Sequence, residues 1–329
     1  MTDEALYFTA PETVERRSVT VGDPGATELL VETRVSAISA GTELLVYRDE
    51  VPSGIPVDET IDALDGEFSY PIRYGYAASG IVREVGSEVD ENWVGRTVFS
   101  FVPHQTRFRA DPASVVPLPD GMDPETGSLF PSVETATNLV LDAHPRLGER
   151  VVVLGAGVIG LCVIRLLASF PLADLVVVDP IQRRRELARE LGADRVETPE
   201  TVSDGVDDAD LVVELSGQPD TLNDAVDVVG YDGRIVVGSW YGSKREPIDL
   251  GGRFHRDRID IVSSQVSTID PELRGRWDRT RRADVAVDRL SRIDTDALIT
   301  HRVPFDRAED AYDLLDSTPE KAIQVVLEY

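Results

Sequence analysis

Four consecutive apolar residues, Val151–Leu154, lead into Gly155-Ala156-Gly157-Val158-Ile159-Gly160, and an apolar stretch continues to Ser169. G-x-G-x-x-G alone is a weak pattern. Here it closes a strand and opens a helix, as a dinucleotide-binding βα unit requires. In that reading Gly155 permits the tight turn, Gly157 lets the backbone approach a pyrophosphate, and Gly160 lets helix and strand pack closely. The loop backbone, Ala156, Val158 and Ile159 included, then faces the phosphates together with the free N–H groups of the helix start. The next strand ends at Asp179, 24 residues beyond Gly155. That is near the spacing of about 20 at which an acid accepts the adenosine ribose hydroxyls. Its charge would repel a 2′-phosphate, so NAD is the expected cofactor. Arg183, Arg184 and Arg185 keep NADP open: Arg183 either reaches a 2′-phosphate or lies with the run on a solvated helix face.

The chain changes rhythm near residue 130. Before it the sequence is β-rich: Leu29, Val31, Thr33, Val35 and Ala37 alternate with Glu28, Glu32, Arg34 and Ser36, the period of a half-buried strand. Gly80–Gly86 and Gly95–Phe101 are short strands, and the prolines after residue 102 disfavour long helices. Residues 48–70, acidic with Gly and Pro, are expected to be a surface loop. Beyond 130, apolar runs at Val151–Leu154, Leu175–Val178, Leu211–Leu215, Arg234–Gly238 and Asp260–Ser264 alternate with helical stretches, among them Ile181–Leu191. That spacing predicts an α/β fold with a parallel sheet. The tail adds a helix near Asp306–Asp316 and a strand near Ala322–Leu327. Ligands of such sheets bind beyond the carboxyl ends of the strands. Ser216, Gly217, Ser239 and Trp240 are therefore expected at the ribose and nicotinamide, with a packing role at a domain interface the alternative for Trp240.

Composition narrows the partners. The 329 residues carry 33 basic and 60 acidic side chains, a formal net charge of −27, and only two lysines, Lys244 and Lys321. An acidic, lysine-poor, arginine-rich surface suits near-molar salt, where the Debye length shrinks to about 3 Å and carboxylate repulsion costs little. The expectation is a halophilic-type cytoplasmic protein acting on a small molecule. Nucleic acid is not an expected partner, because no basic patch rises above the acidic background. No signal-peptide pattern opens the sequence, and the apolar run Val151–Phe170 is interrupted by three glycines and Arg165, so no membrane span is expected. Cys162 is the only cysteine. It excludes an intrachain disulfide and a multi-cysteine zinc site, and it sits on the apolar helix as a core residue.

Longer segments carry a family resemblance over essentially the whole chain. Ser36-Ala-Ile-Ser-Ala-Gly-Thr-Glu43 is similar to the S-G-I-C-G-T-D segment of zinc-dependent medium-chain dehydrogenases/reductases. Pro71-Ile-Arg-Tyr-Gly-Tyr-Ala-Ala-Ser-Gly80 is similar to their P-x-x-x-G-H-E-x-x-G segment. Leu211–Gly217, Gly233–Gly238 and Pro304–Tyr312 resemble later strands and the returning tail. The resemblance implies a GroES-like domain from residues 1–131 and 299–329, a Rossmann domain from 132–298, and a homodimer or homotetramer. Where zinc members place their ligands, this chain has Ala40 or Ser39, then Tyr76 with Ala77 beside it, and Phe130. Those residues are not a zinc donor set, so no metal is expected. The Ser-Ala-Gly-Thr-Glu and Gly-Tyr variants look closest to bacteriochlorophyllide dehydrogenase-like members.

The resemblance implies hydride transfer between a dinucleotide and an alcohol or carbonyl carbon. Reduction of an enone or quinone is an alternative, and so is an NAD-binding protein without catalysis. Without zinc the substrate oxygen needs another hydrogen-bonding group. Tyr76 is the first candidate, either as that acid or as a filler of the former metal pocket. Thr42 occupies the position of a proton-relaying hydroxyl or caps a turn. Glu43 orients it or is a buried acceptor. His104 is expected on a cleft-bordering loop, where an imidazole suits acid–base work, or else simply in solvent. His144 and His255 read as structural. The composition generates one test: the thermal midpoint should rise steadily from low salt to about 1 M KCl, and a flat or falling midpoint would refute the halophilic expectation.

Overall fold

The computed structural model describes residues 2–58, 61–64 and 66–329, so Met1 and three positions of the predicted 48–70 loop (59, 60 and 65) lie outside it. Two compact units divide the chain, Met1–Pro131 with Asp294–Tyr329, and Ser132–Ile293. The second crossing begins at Asp294, five residues before 299.

The first unit opens with a hairpin of β1 (Asp3–Ala10) and β2 (Thr13–Val19). Its central strand, β3 (Leu29–Ala37), is followed by helix α1 (Ala40–Tyr47) and by β4 (Ala78–Val85), β5 (Thr97–Ser100), β6 (Arg107–Ala110) and β7 (Val115–Pro117). The periodicity of β3 predicts a wet face that includes Ser36, yet Ser36 is buried with the apolar residues. The outer side of Ser36 is covered by His104 and Tyr329, which bond its hydroxyl. Helix α1 is absent from the sequence reading because Gly41 and Thr42 disguise its first turn. Its run Leu44-Leu45-Val46-Tyr47 is wholly buried, and tertiary packing overrides propensity. The 48–70 segment is no simple surface loop either. Val57 and Leu64 enter the core with Leu6, Phe8, Ile38, Tyr47, Tyr74 and Tyr312, because apolar residues in an acidic stretch still gain by burial.

In the second unit, α2 (Phe130–Ala143) precedes β8 (Arg150–Leu154), α3 (Val158–Leu167), β9 (Asp174–Val178), α4 (Gln182–Glu190) and β10 (Arg195–Glu197). Then come β11 (Ala209–Glu214), α5 (Thr221–Val228), β12 (Val229–Val237), β13 (Asp260–Ser263) and α6 (Arg279–Leu290). The six strands form a parallel sheet in the order β10-β9-β8-β11-β12-β13. The order reverses direction between β8 and β11, the switch point at which doubly wound sheets bind ligands. The apolar run Val151–Phe170 is a strand, a turn and a helix. Among the described residues no helix is long and apolar enough to cross a membrane. The chain returns to the first unit through β14 (Ile299–Pro304), α7 (Ala308–Ser317) and β15 (Gln324–Glu328). There a seven-stranded sheet runs β14-β15-β3-β4-β5-β7, with β6 paired to β3.

The largest fully buried side chain is Arg282 on α6. Its guanidinium donates to Glu134 Oε1 at 3.1 and 3.3 Å and to Asn138 Oδ1 at 2.8 Å, tying α6 to α2. Burial pushes the Glu134 carboxyl upward while Arg282 opposes it. Removing one member leaves an uncompensated buried charge. Arg282→Ala should therefore lower unfolding free energy by about 3–5 kcal/mol in urea titrations, whereas Arg282→Met with Glu134→Leu should be close to neutral.

Candidate active site

In the second unit the glycine loop is shaped by backbone contacts. Gly155 has φ +99°, and a Cβ there would stand 2.6 Å from the Leu215 carbonyl oxygen on the neighbouring strand end. A Cβ on Gly160 would collide with the Gly155 carbonyl, whereas a Cβ on Gly157 would enter open space. That open cradle lies at the start of α3, where Gly157 is the N-cap and the first N–H groups have no partner within the helix. Val158 and Ile159 form the first turn. These residues fit a dinucleotide pyrophosphate.

Asp179 is buried, and both its oxygens hold backbone: Ala156 N–H donates to one at 2.8 Å and Ile181 N–H to the other at 2.8 Å. The carboxylate thus clamps the glycine loop to the end of β9, with one lone pair per oxygen left for ribose hydroxyls. Of the three arginines, Arg183 is exposed. Arg184 comes within 3.9 Å of the carboxylate and Arg185 donates to the Asp179 carbonyl at 2.6 Å, so both neighbours of Arg183 turn toward Asp179.

At the ends of β11 and β12 three of the four expected residues meet. Gly217 N–H donates to Ser239 Oγ at 2.9 Å, and Ser216 Oγ donates to Glu214 at 2.5 Å. Trp240 beside them is 38% exposed. Sequence reasoning overlooks Glu214, which is fully buried, accepts the Tyr241 hydroxyl at 2.5 Å and takes the Ser216 N–H at 2.7 Å. A lone acid inside the apolar run Leu211–Leu215 was the available signal.

The first unit brings Tyr76, Thr42, Glu43 and His104 into one network. Tyr76 is half-buried and donates to Ser39 Oγ at 2.5 Å. Burial drives its phenol pKa upward, against hydrogen bonds from Ser39 and Thr42. Thr42 lies in the first turn of α1, not in a loose turn. Glu43, with no exposed surface, accepts the Ser39 N–H at 2.7 Å, the Tyr312 hydroxyl at 2.5 Å and His104 Nε2–H at 3.0 Å. The expectation of a solvent-bordering His104 is corrected: it is fully buried against Gly75, where only a missing side chain leaves room for the ring.

His104 Nδ1 lies 2.6 Å from Ser36 Oγ, which lies 2.9 Å from the Tyr329 hydroxyl. A neutral imidazole satisfies every member, with Tyr329 donating to Ser36, Ser36 to Nδ1 and Nε2–H to Glu43. Ser36, Tyr312 and Tyr329 escape sequence reasoning because hydroxyls on strand and tail residues carry no local signal. His144 sits in a left-handed backbone conformation, and Cys162 is buried, its thiol pushed up to about 12 by desolvation, so the thiol is not poised as a nucleophile.

Ser39 and Tyr76 stand together, Ala77 offers no donor, and Phe130 is buried against Phe99 and Phe101. Two hydroxyls in contact do not fit zinc, which takes thiolate, imidazole or carboxylate. Among the described residues no group of three or more His, Cys, Asp or Glu is disposed to hold a metal.

A parallel sheet with a glycine loop at its switch point in one unit, and an antiparallel β unit completed by the tail in the other, define a medium-chain dehydrogenase/reductase, and the chain is an oxidoreductase of that type. The family described as "Glucose dehydrogenase C-terminus" matches residues 132–329, and the chain belongs to it. It is 27% identical to D-guloside 3-dehydrogenase of Escherichia coli K12 over 91% of this chain and 92% of that protein. It is 24% identical to D-xylulose reductase of Saccharomyces cerevisiae over 99% and 98%. An Escherichia coli CFT073 dehydrogenase solved with NADH shares the fold at a TM-score of 0.79 and 19% identity, each chain covered in full. Membership of an enzyme family sets aside the reading of an NAD-binding protein without catalysis.

Proposed function

We propose that the chain interconverts a secondary alcohol and a carbonyl on a polyol or sugar, using NAD and no zinc, with Tyr76 handling the substrate-oxygen proton. The observation that carries this is the Tyr76–Ser39 contact: where metal ligands stand in zinc members, this chain has a phenol donating to a hydroxyl. The bound dinucleotide supplies the hydride chemistry. Gly155, Gly157 and Gly160 give it room, and Asp179 holds the loop and favours ribose hydroxyls over a 2′-phosphate. Tyr76 gives its proton to the oxygen of a carbonyl substrate, while Ser39 and Thr42 orient the phenol. Glu43, held by Tyr312 and His104, fixes Ser39 through its backbone. In this reading His104 is a positioning residue and does not exchange protons with substrate. The sugar-acting relatives support a polyhydroxylated substrate. A cytoplasm of high salt suits the surface charge, and the exposed Ile261 and Val262 on edge strand β13 suit self-association.

Tyr76→Phe should lower turnover by about 10²–10⁴-fold, the scale of a lost general acid, with NADH affinity nearly unchanged. Because the phenol pKa is raised, the proton-donating form persists past the ordinary value of about 10. Carbonyl reduction should therefore show no loss attributable to Tyr76 below about pH 10. Unchanged turnover in the variant would remove Tyr76 from the chemistry.

A further inference from the structure

Arginine supplies nearly all the positive charge of this chain, so a lysine in a structured, half-buried place needs a reason. Lys321 is exposed, whereas Lys244 is half-buried on the loop after β12. That loop folds over the end of β11. Ser239 Oγ accepts the Gly217 N–H, Lys244 Nζ donates to the Gly217 carbonyl at 2.8 Å, and Tyr241 reaches Glu214. One of the three ammonium N–H groups is thereby engaged. Among the described residues Lys244 has no carboxylate within ion-pair distance, unlike many of the arginines.

Its location gives that free charge a use. The Gly155 turn packs directly on Leu215, two residues before Gly217, so the ammonium stands over the strand end that adjoins the glycine loop. The loop itself carries no cationic side chain, and the Ala156 N–H is taken by Asp179. A pyrophosphate brings two negative charges to a chain of net charge −27. Helix dipoles and N–H groups alone offset that weakly, whereas a compact ammonium with two free donors offsets it directly.

We propose that Lys244 is a phosphate-contacting residue of the dinucleotide site. The inference rests on the nucleotide reading above, and the test separates the two. ADP and adenosine are used to displace NADH from the full chain, followed by nicotinamide fluorescence, for the unaltered protein, Lys244→Met and Lys244→Arg. In Lys244→Met, ADP should weaken by about tenfold or more, the scale of a charge-assisted hydrogen bond, with adenosine unchanged. Lys244→Arg should retain most of the ADP affinity. Unchanged ADP affinity in Lys244→Met overturns the proposal, and so does equal weakening of ADP and adenosine, which would mark Lys244 as a loop staple only. Equal losses in the Arg and Met variants also overturn it. Failure of the unaltered chain to bind NADH would instead refute the nucleotide reading on which the proposal stands.

Discussion

A carboxylate with no solvent contact must be satisfied by its neighbours, and Glu43 is satisfied by three donors, two of them from distant parts of the chain. The Ser39 N–H comes from the entry to α1, the Tyr312 hydroxyl from α7, and His104 from the segment between β5 and β6. Isolated burial of such a charge costs several kcal/mol on the order of that found for buried ions. The fold of the first unit is therefore bound to this one residue. The returning tail cannot shift without unpairing Tyr312, and the α1 entry cannot shift without unpairing Ser39. The precision with which Ser39 meets Tyr76 follows from that constraint.

The second unit works by a different principle. Its site is built from absences: no side chain at Gly155, where Leu215 approaches, none at Gly160, where helix meets strand, and none at Gly157, where the cradle stays open. Asp179 then locks the loop through the Ala156 N–H. The first unit presents a phenol held by hydroxyls and a buried acid. In the proposed reaction the cofactor would carry the redox chemistry, the glycine loop would hold its phosphates, and the phenol would manage one proton.

What could be read from the sequence follows the range of the interactions. The glycine loop, the βαβ rhythm and Asp179 lie within one supersecondary unit, and they are legible as a contiguous pattern. Tyr76, Thr42 and Glu43 were legible as candidates through segment resemblance, and His104 as a loop histidine whose imidazole suits acid–base work. Their joining was not, since Glu43 and Tyr312 are 269 residues apart and Glu43 and His104 are 61 apart. Period-2 reasoning put Ser36 on a wet face because it knows nothing of what covers that face. The strand β14, Ile299-Thr-His-Arg-Val-Pro304, escaped because its residues are mostly polar or partly exposed and its pairing with β15 is set by tertiary contacts. Asp179 was placed correctly at the end of its strand, but its grip on the loop shows only in three dimensions.

In the proposed mechanism the proton is handled by side chains of this chain without a metal. The most direct measurement is alcohol–carbonyl turnover before and after exhaustive chelation, with zinc content followed by elemental analysis. Unchanged turnover in protein with substoichiometric zinc is the predicted result. Activity that disappears on chelation and returns with added zinc would contradict it.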